Sequence, residues 1–215
     1  MNKQTNNPGK LIVISAPSGA GKTTLVKALC ESDPELMVSV SHTTRPRRDG
    51  EEDGIAYHFT NVDTFQDMVD GEQFLEHAKV FDNYYGTSRP VVESQLAKGI
   101  DVILEIDWQG ARRVRQMMPE SQSIFILPPS YQALETRLTG RGKDDASTIQ
   151  RRMDDAINEL SHYREYDYLV INDDLELALS ELQGLIAALR DNQQPQQADL
   201  SEFVTRLMAK NQNFQ

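Results

Sequence analysis

Residues 19–24, Gly-Ala-Gly-Lys-Thr-Thr, bring together the residue types that hold polyphosphate. Glycines such as Gly19 and Gly21 adopt backbone angles closed to other residues and can turn successive amide N–H groups onto one point. Lys22 adds a positive charge there, and Thr23 a hydroxyl suited to a hard divalent cation. The bland alternative is a glycine turn with a surface lysine. Against it stand the apolar run Leu11-Ile12-Val13-Ile14 before the stretch and Leu25, Val26, Ala28 and Leu29 at helical spacing after it. Strand, tight loop and helix N-terminus in that order form the setting of a phosphate-binding loop. In the general pattern G-x-x-x-x-G-K-[ST], Ala16 takes the place of the first glycine. The loop is therefore Ala16, Pro17, Ser18, Gly19, Ala20, Gly21, Lys22, Thr23 and Thr24.

A second chemical group closes the apolar run 101–107, Asp-Val-Ile-Leu-Glu-Ile-Asp. The carboxyl ends of strands line the ligand crevice of an open α/β sheet, so Glu105 and Asp107 are candidates for metal or substrate contact. Capping of the following helix by Asp107 is the competing reading. Arginines come in groups at 45, 47 and 48, at 112, 113 and 115, at 137 and 141, and at 151 and 152. A small phosphate ligand explains such grouping better than a long polyanion, because the chain carries 33 acidic against 22 basic residues and a formal net charge of −11. That charge opposes general binding to nucleic acid or anionic lipid. Arg112, Arg113 and Arg115 read more simply as a solvated helix face.

The elements that must position these groups fit one globular unit with smaller inserted lobes, as 215 residues allow. No apolar run reaches the length of a membrane span, and residues 1–10 lack an apolar signal segment, so a cytoplasmic protein is expected. The single cysteine, Cys30, excludes an internal disulfide and is expected as a small buried residue on the first helix. Residues 38–41 alternate as a short strand does. Residues 42–60 read as a long binding loop, and Val62, Phe65, Met68 and Val69 mark a short helix. A strand over 74–80 leads into a turn over 81–86 bearing Tyr84 and Tyr85, and a helix carries Val91, Val92 and Leu96.

Residues 123–127 form a core strand stopped by Pro128-Pro129, with Ser130 capping the next helix. That helix, with Leu134 and Leu138, pairs with a second one that opens on a capping box at Ser147 and buries Ile149, Met153, Ala156, Ile157 and Leu160. The resulting hairpin places Arg137, Arg141, Arg151 and Arg152 near its tip. A last strand over 168–171 and a helix over 175–189 follow. The Gln-rich stretch 191–199 reads as a linker, and Leu200, Phe203, Val204, Leu207 and Met208 form a short amphipathic stripe. That stripe docks on its own domain, joins a neighbouring subunit or frays.

The phosphate loop, the run 44–59 (Thr-Arg-Pro-Arg-Arg-Asp-Gly-Glu-Glu-Asp-Gly-Ile-Ala-Tyr-His-Phe), the turn Asn83-Tyr84-Tyr85-Gly86 and Ile106-Asp107-Trp108-Gln109-Gly110 closely resemble guanylate kinase, over residues 10–189. The resemblance implies transfer of the ATP γ-phosphoryl to GMP or dGMP with Mg2+, in purine nucleotide metabolism. It also implies an α/β fold, a P-loop NTPase core whose parallel β-sheet is flanked by helices, with an inserted GMP-binding lobe and a helical lid. The core would comprise 10–41, 97–133 and 163–189, the lobe 42–96 and the lid 134–162. A polar tail, 1–9, would precede it and the linker and amphipathic segment, 190–215, would follow.

Carried over by position, the resemblance assigns Arg45, Arg48, Tyr57 and Tyr85 to the GMP phosphate and Ser41, Glu76, Thr87 and Asp107 to the guanine side. Because Pro46 stands one place earlier than the family's proline, Arg47 remains the alternative to Arg48. The loop residues 16–24 would hold ATP, and Asn172 lies where the family contacts adenine. Thr23, and Asp107 through a water, would serve Mg2+. Lys22 and Arg45, with Arg141 and Arg152 from the lid, would act on the transferring phosphoryl. ATP and GMP are then the partners, without nucleic acid or membrane, and with homo-oligomer formation through the C-terminal segment left open.

Two other readings compete. A guanylate-kinase-like protein-binding module that has lost catalysis has no use for Gly21-Lys22-Thr23 or lid arginines, and this chain carries both. A P-loop GTPase lacks support because no Asn-Lys-x-Asp motif is present. A P-loop kinase for another small acceptor is opposed by the run 44–59. Glu76 has its own plain alternative, a charged strand residue facing water.

Overall fold

The computed structural model describes residues 8–80, 82–139 and 146–209. The chain forms two compact units, one reaching up to Val13 and resuming over Pro34–Ser121, the other comprising Ile14–Asp33 and the chain from Gln122 onward. Strand β1 (Leu11–Ser15) runs through both and is buried along its whole length. Four consecutive apolar residues, Leu11 to Ile14, with no alternation suit the middle of a parallel sheet, which is covered on both faces.

In the first unit the strand order is β2 (Leu36–Val38), β7 (Asp101–Glu105), β1, with β2 and β7 parallel and Leu36 opposite Asp101. A second sheet of the same unit has the order β4 (His58–Phe59), β3 (His42–Thr43), β6 (Asn83–Ser88), β5 (Phe74–Val80). Strands β5 and β6 form an antiparallel hairpin whose register slips between Phe74 and Glu76. Helices α2 (Val62–Asp70) and α3 (Arg89–Leu96) pack on β5, as does α4 (Trp108–Met117). Asn61 caps α2 by accepting from Thr64 N. Of the apolar stripe on α2 only Phe65 is buried, stacked on Phe74, while Val62 is exposed.

In the second unit the end of β1 is followed in the sheet by β8 (Gln122–Leu127) and β9 (Tyr168–Ile171), the last two parallel. Helix α1 (Lys22–Ser32) packs against α7 (Leu175–Arg190). Helices α5 (Tyr131–Thr139) and α6 (Ala146–Ser161) join through Leu134, Leu138, Met153 and Ala156, and Ser130 Oγ caps α5 by accepting from Ala133 N. Helix α8 (Ser201–Ala209) packs on α6 and buries Val204 and Leu207, so the amphipathic stripe docks within its own unit. Among the described residues no helix is long and apolar enough to cross a membrane.

Several local expectations shift. The strand expected over 38–41 lies at Leu36–Val38, because pairing with β7 rather than the local alternation sets its limits. Tyr84 and Tyr85 sit on β6 rather than in a turn, since their backbone pairs with Lys79 and Ala78 of β5. Ser147 lies inside α6, which is already helical at Ala146, rather than at its cap. Cys30 is only partly buried.

Candidate functional site

The phosphate loop lies in the second unit. Gly19 and Gly21 both take φ of +89°, and Gly21 is the left-handed N-cap of α1. Ala20 N donates to Pro17 O at 3.0 Å, closing a four-residue turn with Gly19 at the position that favours positive φ. The outer side of the loop is tied by its carbonyl at Ala20, which accepts from Asn172 Nδ2 at 2.7 Å and from an Arg137 guanidinium nitrogen at 3.3 Å. Arg137 also donates to Asn172 O at 3.2 Å. A side chain at Gly21 would place its Cβ 2.4 Å from Asn172 Nδ2. What remains is a cavity of about 260 Å³ lined by Ala16, Pro17, Ser18, Gly19, Gly21, Lys22, Thr23 and Thr24. A helix N-terminus with inward amides, a lysine and a hydroxyl can neutralise and position a polyanion.

Arg152 reaches the same loop, donating to Ser18 Oγ at 3.4 Å, while Glu159 of α6 accepts from Ser18 N at 3.0 Å. Arg141 lies outside the described residues. Asn172 is only 6% exposed and its amide nitrogen is committed to the loop backbone, so its placement is that of a loop support.

The first unit holds a separate constellation on β3, β5, β6 and α4. Glu76, on β5, is 6% exposed and accepts from Thr87 Oγ1 at 2.6 Å, Thr87 being 1% exposed and directly opposite in the hairpin. A Cβ built on Gly110 would stand 3.2 Å from Glu76 Oε2, so the start of α4 closes over the carboxylate. Burial pushes the Glu76 carboxyl up to about 7; the Thr87 hydrogen bond and Arg113 pull it back, and Asp107 adds to the rise. The reading of Glu76 as a water-facing strand residue therefore fails. The strand alternation could not reveal this, because α4 covers the face of β5 that sequence alone leaves open.

Asp107 is the N-cap of α4, with Oδ1 accepting from Gly110 N at 2.8 Å. Its capping role is thus real for one oxygen. Ser41 is half-buried just before β3, and its carbonyl accepts from His58 N at 2.9 Å.

Arg45 is gathered among aromatic rings and a carboxylate. Its guanidinium lies 5.3 Å from the Tyr57 ring centre and 5.8 Å from that of Phe59, and bonds to Glu51 Oε1 at 2.6 Å and Pro46 O at 2.8 Å. Tyr57 packs edge-on against Tyr85 with centres 5.8 Å apart. The hydrogen bond to Arg45 lowers the Glu51 carboxyl from its ordinary range. Glu51 Oε2 also accepts from Arg48 N at 2.8 Å, whereas the side chains of Arg47 and Arg48 are exposed. An arginine beside two phenols in a loop with a second arginine suits a phosphate monoester.

Sequence reasoning left Arg137, Glu51, Glu159 and Arg113 without roles. Arg137, in the last turn of α5, also reaches the phosphate loop. Arg112 and Arg113 are exposed, as a solvated face requires; Arg113 also donates to His77 O at 2.8 Å, tying α4 to β5, and Arg112 lies 4.6 Å from the centre of the Trp108 ring. No local pattern announces the contacts of Arg137, Glu159 and Arg113, which join residues far apart in the chain.

Comparison with known proteins adds an independent line. The family model described as guanylate kinase matches residues 8–189. A guanylate kinase of Chromohalobacter salexigens is 54% identical over 207 residues, 96% of this chain and 96% of that protein. One of Hydrogenovibrio crunogenus is 59% identical over 182 residues, covering 85% of this chain and 89% of that protein. The crystal structure of guanylate kinase from Anaplasma phagocytophilum matches with a TM-score of 0.70 at 34% identity, over 86% of this chain and 87% of that one.

Proposed function

Because the chain belongs to the guanylate kinase family, we propose that it transfers the γ-phosphoryl group of ATP to GMP or dGMP, giving ADP and GDP or dGDP. The observation that carries the acceptor assignment is the buried Glu76 carboxylate beside Thr87. Guanine presents a ring N–H and an amino group side by side, and a carboxylate accepts both. Burying a carboxyl beside a hydroxyl and a helix start is costly unless a ligand supplies donors of this kind. Ser41 and Asp107 complete the guanine side in this reading, and Arg45, Arg48, Tyr57 and Tyr85 take the GMP phosphate.

On the donor side the loop amides and Lys22 hold the ATP phosphates, and Arg152 and Arg141 belong to a lid over 134–162 that shields the transferring group from water. An oxygen of the GMP phosphate forms a bond to the γ-phosphorus as the bond from that phosphorus to the bridging oxygen breaks, leaving ADP. The attacking oxygen is already ionised, so no general base is required. Thr23, an exposed residue at the start of α1 beside the phosphate loop, is of the type that fits a magnesium ion carried with the ATP phosphates. Bound there with ATP, Mg2+ would neutralise phosphoryl charge. The same reading places the protein in the cytoplasm, in purine nucleotide metabolism.

The test is an acceptor screen. With ATP and Mg2+ supplied, ADP should form with GMP and dGMP and not with AMP, gluconate or shikimate. ADP formation with one of the latter at a matching rate would overturn the acceptor assignment, and none with any acceptor would leave the binding-module reading.

A further inference from the structure

Helix α6 meets the phosphate loop at Ser18. Glu159 Oε2 accepts from Ser18 N at 3.0 Å, and Arg152 donates to Ser18 Oγ at 3.4 Å. Residues 152 and 159 are two helical turns apart and share a face of α6. Between and beside them Met153, Ala156 and Leu160 are buried, so this part of the helix is seated in the unit's core. The same core reaches the loop: a Cβ on Gly19 would lie 3.1 Å from Leu134 and Leu138, which pack with Met153 and Ala156.

Within the loop, Ala20 N is already bonded to Pro17 O, and Pro17 has no N–H to offer. The amide at Ser18, second residue of that turn, is held from outside by the carboxylate. A short turn carrying a glycine at φ +89° has neighbouring conformations close in energy, and an external acceptor on its second residue selects one of them.

We propose that Glu159 is a positioning residue for phosphoryl transfer: by holding the Ser18 amide it sets the turn over residues 17–20 and keeps α6, with Arg152 on it, in register with the phosphate loop. This rests on the kinase reading above. The link required is a hydrogen-bond acceptor at a fixed reach, more than a charge.

The experiment compares wild type, Glu159→Ala, Glu159→Gln, Glu159→Asp and the control Asp155→Ala, an exposed acidic residue on the same helix. Glu159→Ala should lower kcat by roughly tenfold or more and raise the KM for ATP, with the GMP KM within about twofold. Glu159→Gln retains a carbonyl oxygen at the same reach and should recover most of the loss. Glu159→Asp, shorter by a methylene, should not. Asp155→Ala should match wild type. In an Arg152→Ala background, Glu159→Ala should cost much less than it does alone, because the two act through one register.

Near-normal kinetics for Glu159→Ala would overturn the proposal, as would equal damage from Ala and Gln. So would tighter ATP binding in both, which would make the carboxylate an opponent of the nucleotide's charge. Should Glu159→Ala fail to fold, the contrast between Gln and Asp decides the question. Calorimetric binding of ADP without GMP reports the loop by itself, so a wild-type protein that binds ADP but does not phosphorylate GMP would sink the kinase reading while leaving Glu159 testable.

Discussion

Thr87 Oγ1 donates to Glu76 Oε1 at 2.6 Å, and the two residues face each other in the β5–β6 register. The bond leaves Glu76 Oε2 toward the start of α4, in a setting where burial opposes charge. A ligand that brings two N–H donors relieves that opposition, whereas adenine would set a ring-nitrogen acceptor against it. Glu76→Gln should therefore lower kcat/KM for GMP sharply and narrow the preference for GMP over AMP. A site built for a donor pair rejects an analogue lacking it by roughly 10⁴-fold. ATP binding measured without GMP should stay near normal. An unchanged GMP-to-AMP ratio would show that Glu76 does not read the base.

The same residue predicts a pH dependence. Its carboxyl is raised from 4.5 to about 7, so between those values the folded protein binds more protons than the unfolded chain. The group's contribution to stability is then present in full below the unfolded value and is lost as pH rises through about 7. Guanine binding needs the ionised form and should follow the opposite course, strengthening as pH rises through 7. Guanosine is the ligand to use, because the GMP phosphate itself titrates near pH 6. Guanosine affinity that stays flat from pH 6 to 8 in wild type would count against the assignment, and Glu76→Gln should be flat.

Lys22→Met should leave the fold intact and remove most transfer activity, because the lysine's charge acts on the migrating phosphoryl group rather than on core packing. A loss of roughly a hundredfold or more in kcat is expected, with an unchanged melting curve. Near-normal turnover would remove Lys22 from the chemistry.

Gly21→Ala meets two obstacles at once, a φ of +89° and a Cβ position 2.4 Å from Asn172 Nδ2. Relief requires moving Asn172, which also holds the Ala20 carbonyl. The substitution should destabilise the protein by about 1–3 kcal/mol and weaken ATP binding more than GMP binding. Calorimetry with each nucleotide separates the two, and equal loss of both would point to general unfolding instead.

Truncation after Asn192 removes α8 and Gln197, whose amide pairs with both the N–H and the carbonyl of Leu169 on β9. Val204 is 0% and Leu207 5% exposed, and burial of such side chains contributes roughly 1.5–3 kcal/mol each as an upper range. The shortened chain should melt several degrees lower yet keep its kinase activity, since the residues proposed for both substrates precede residue 190. Unchanged melting would show that α8 contributes nothing, and failure to fold would show that it completes the core.

The phosphate loop was legible in the sequence because its requirements are local. Glycines at 19 and 21, a lysine and threonine after them, an apolar run before and a helical stripe behind are all set within twenty residues. The strands over 74–80 and 168–171 and the helices from 62, 131 and 175 were legible for the same reason, since periodicity and caps act over one or two turns. The limits of β2 and the extended course of Tyr84 and Tyr85 were decided by strands paired across the sheet. The burial of Glu76 required α4 to close on β5, thirty residues further on. Arg137 and Glu159 reach the loop across 117 and 141 residues, a separation that carries no signal in spacing or composition. Chemistry assembled by neighbours along the chain can be read from it; a carboxylate's burial and a loop's supports exist only once distant elements have packed.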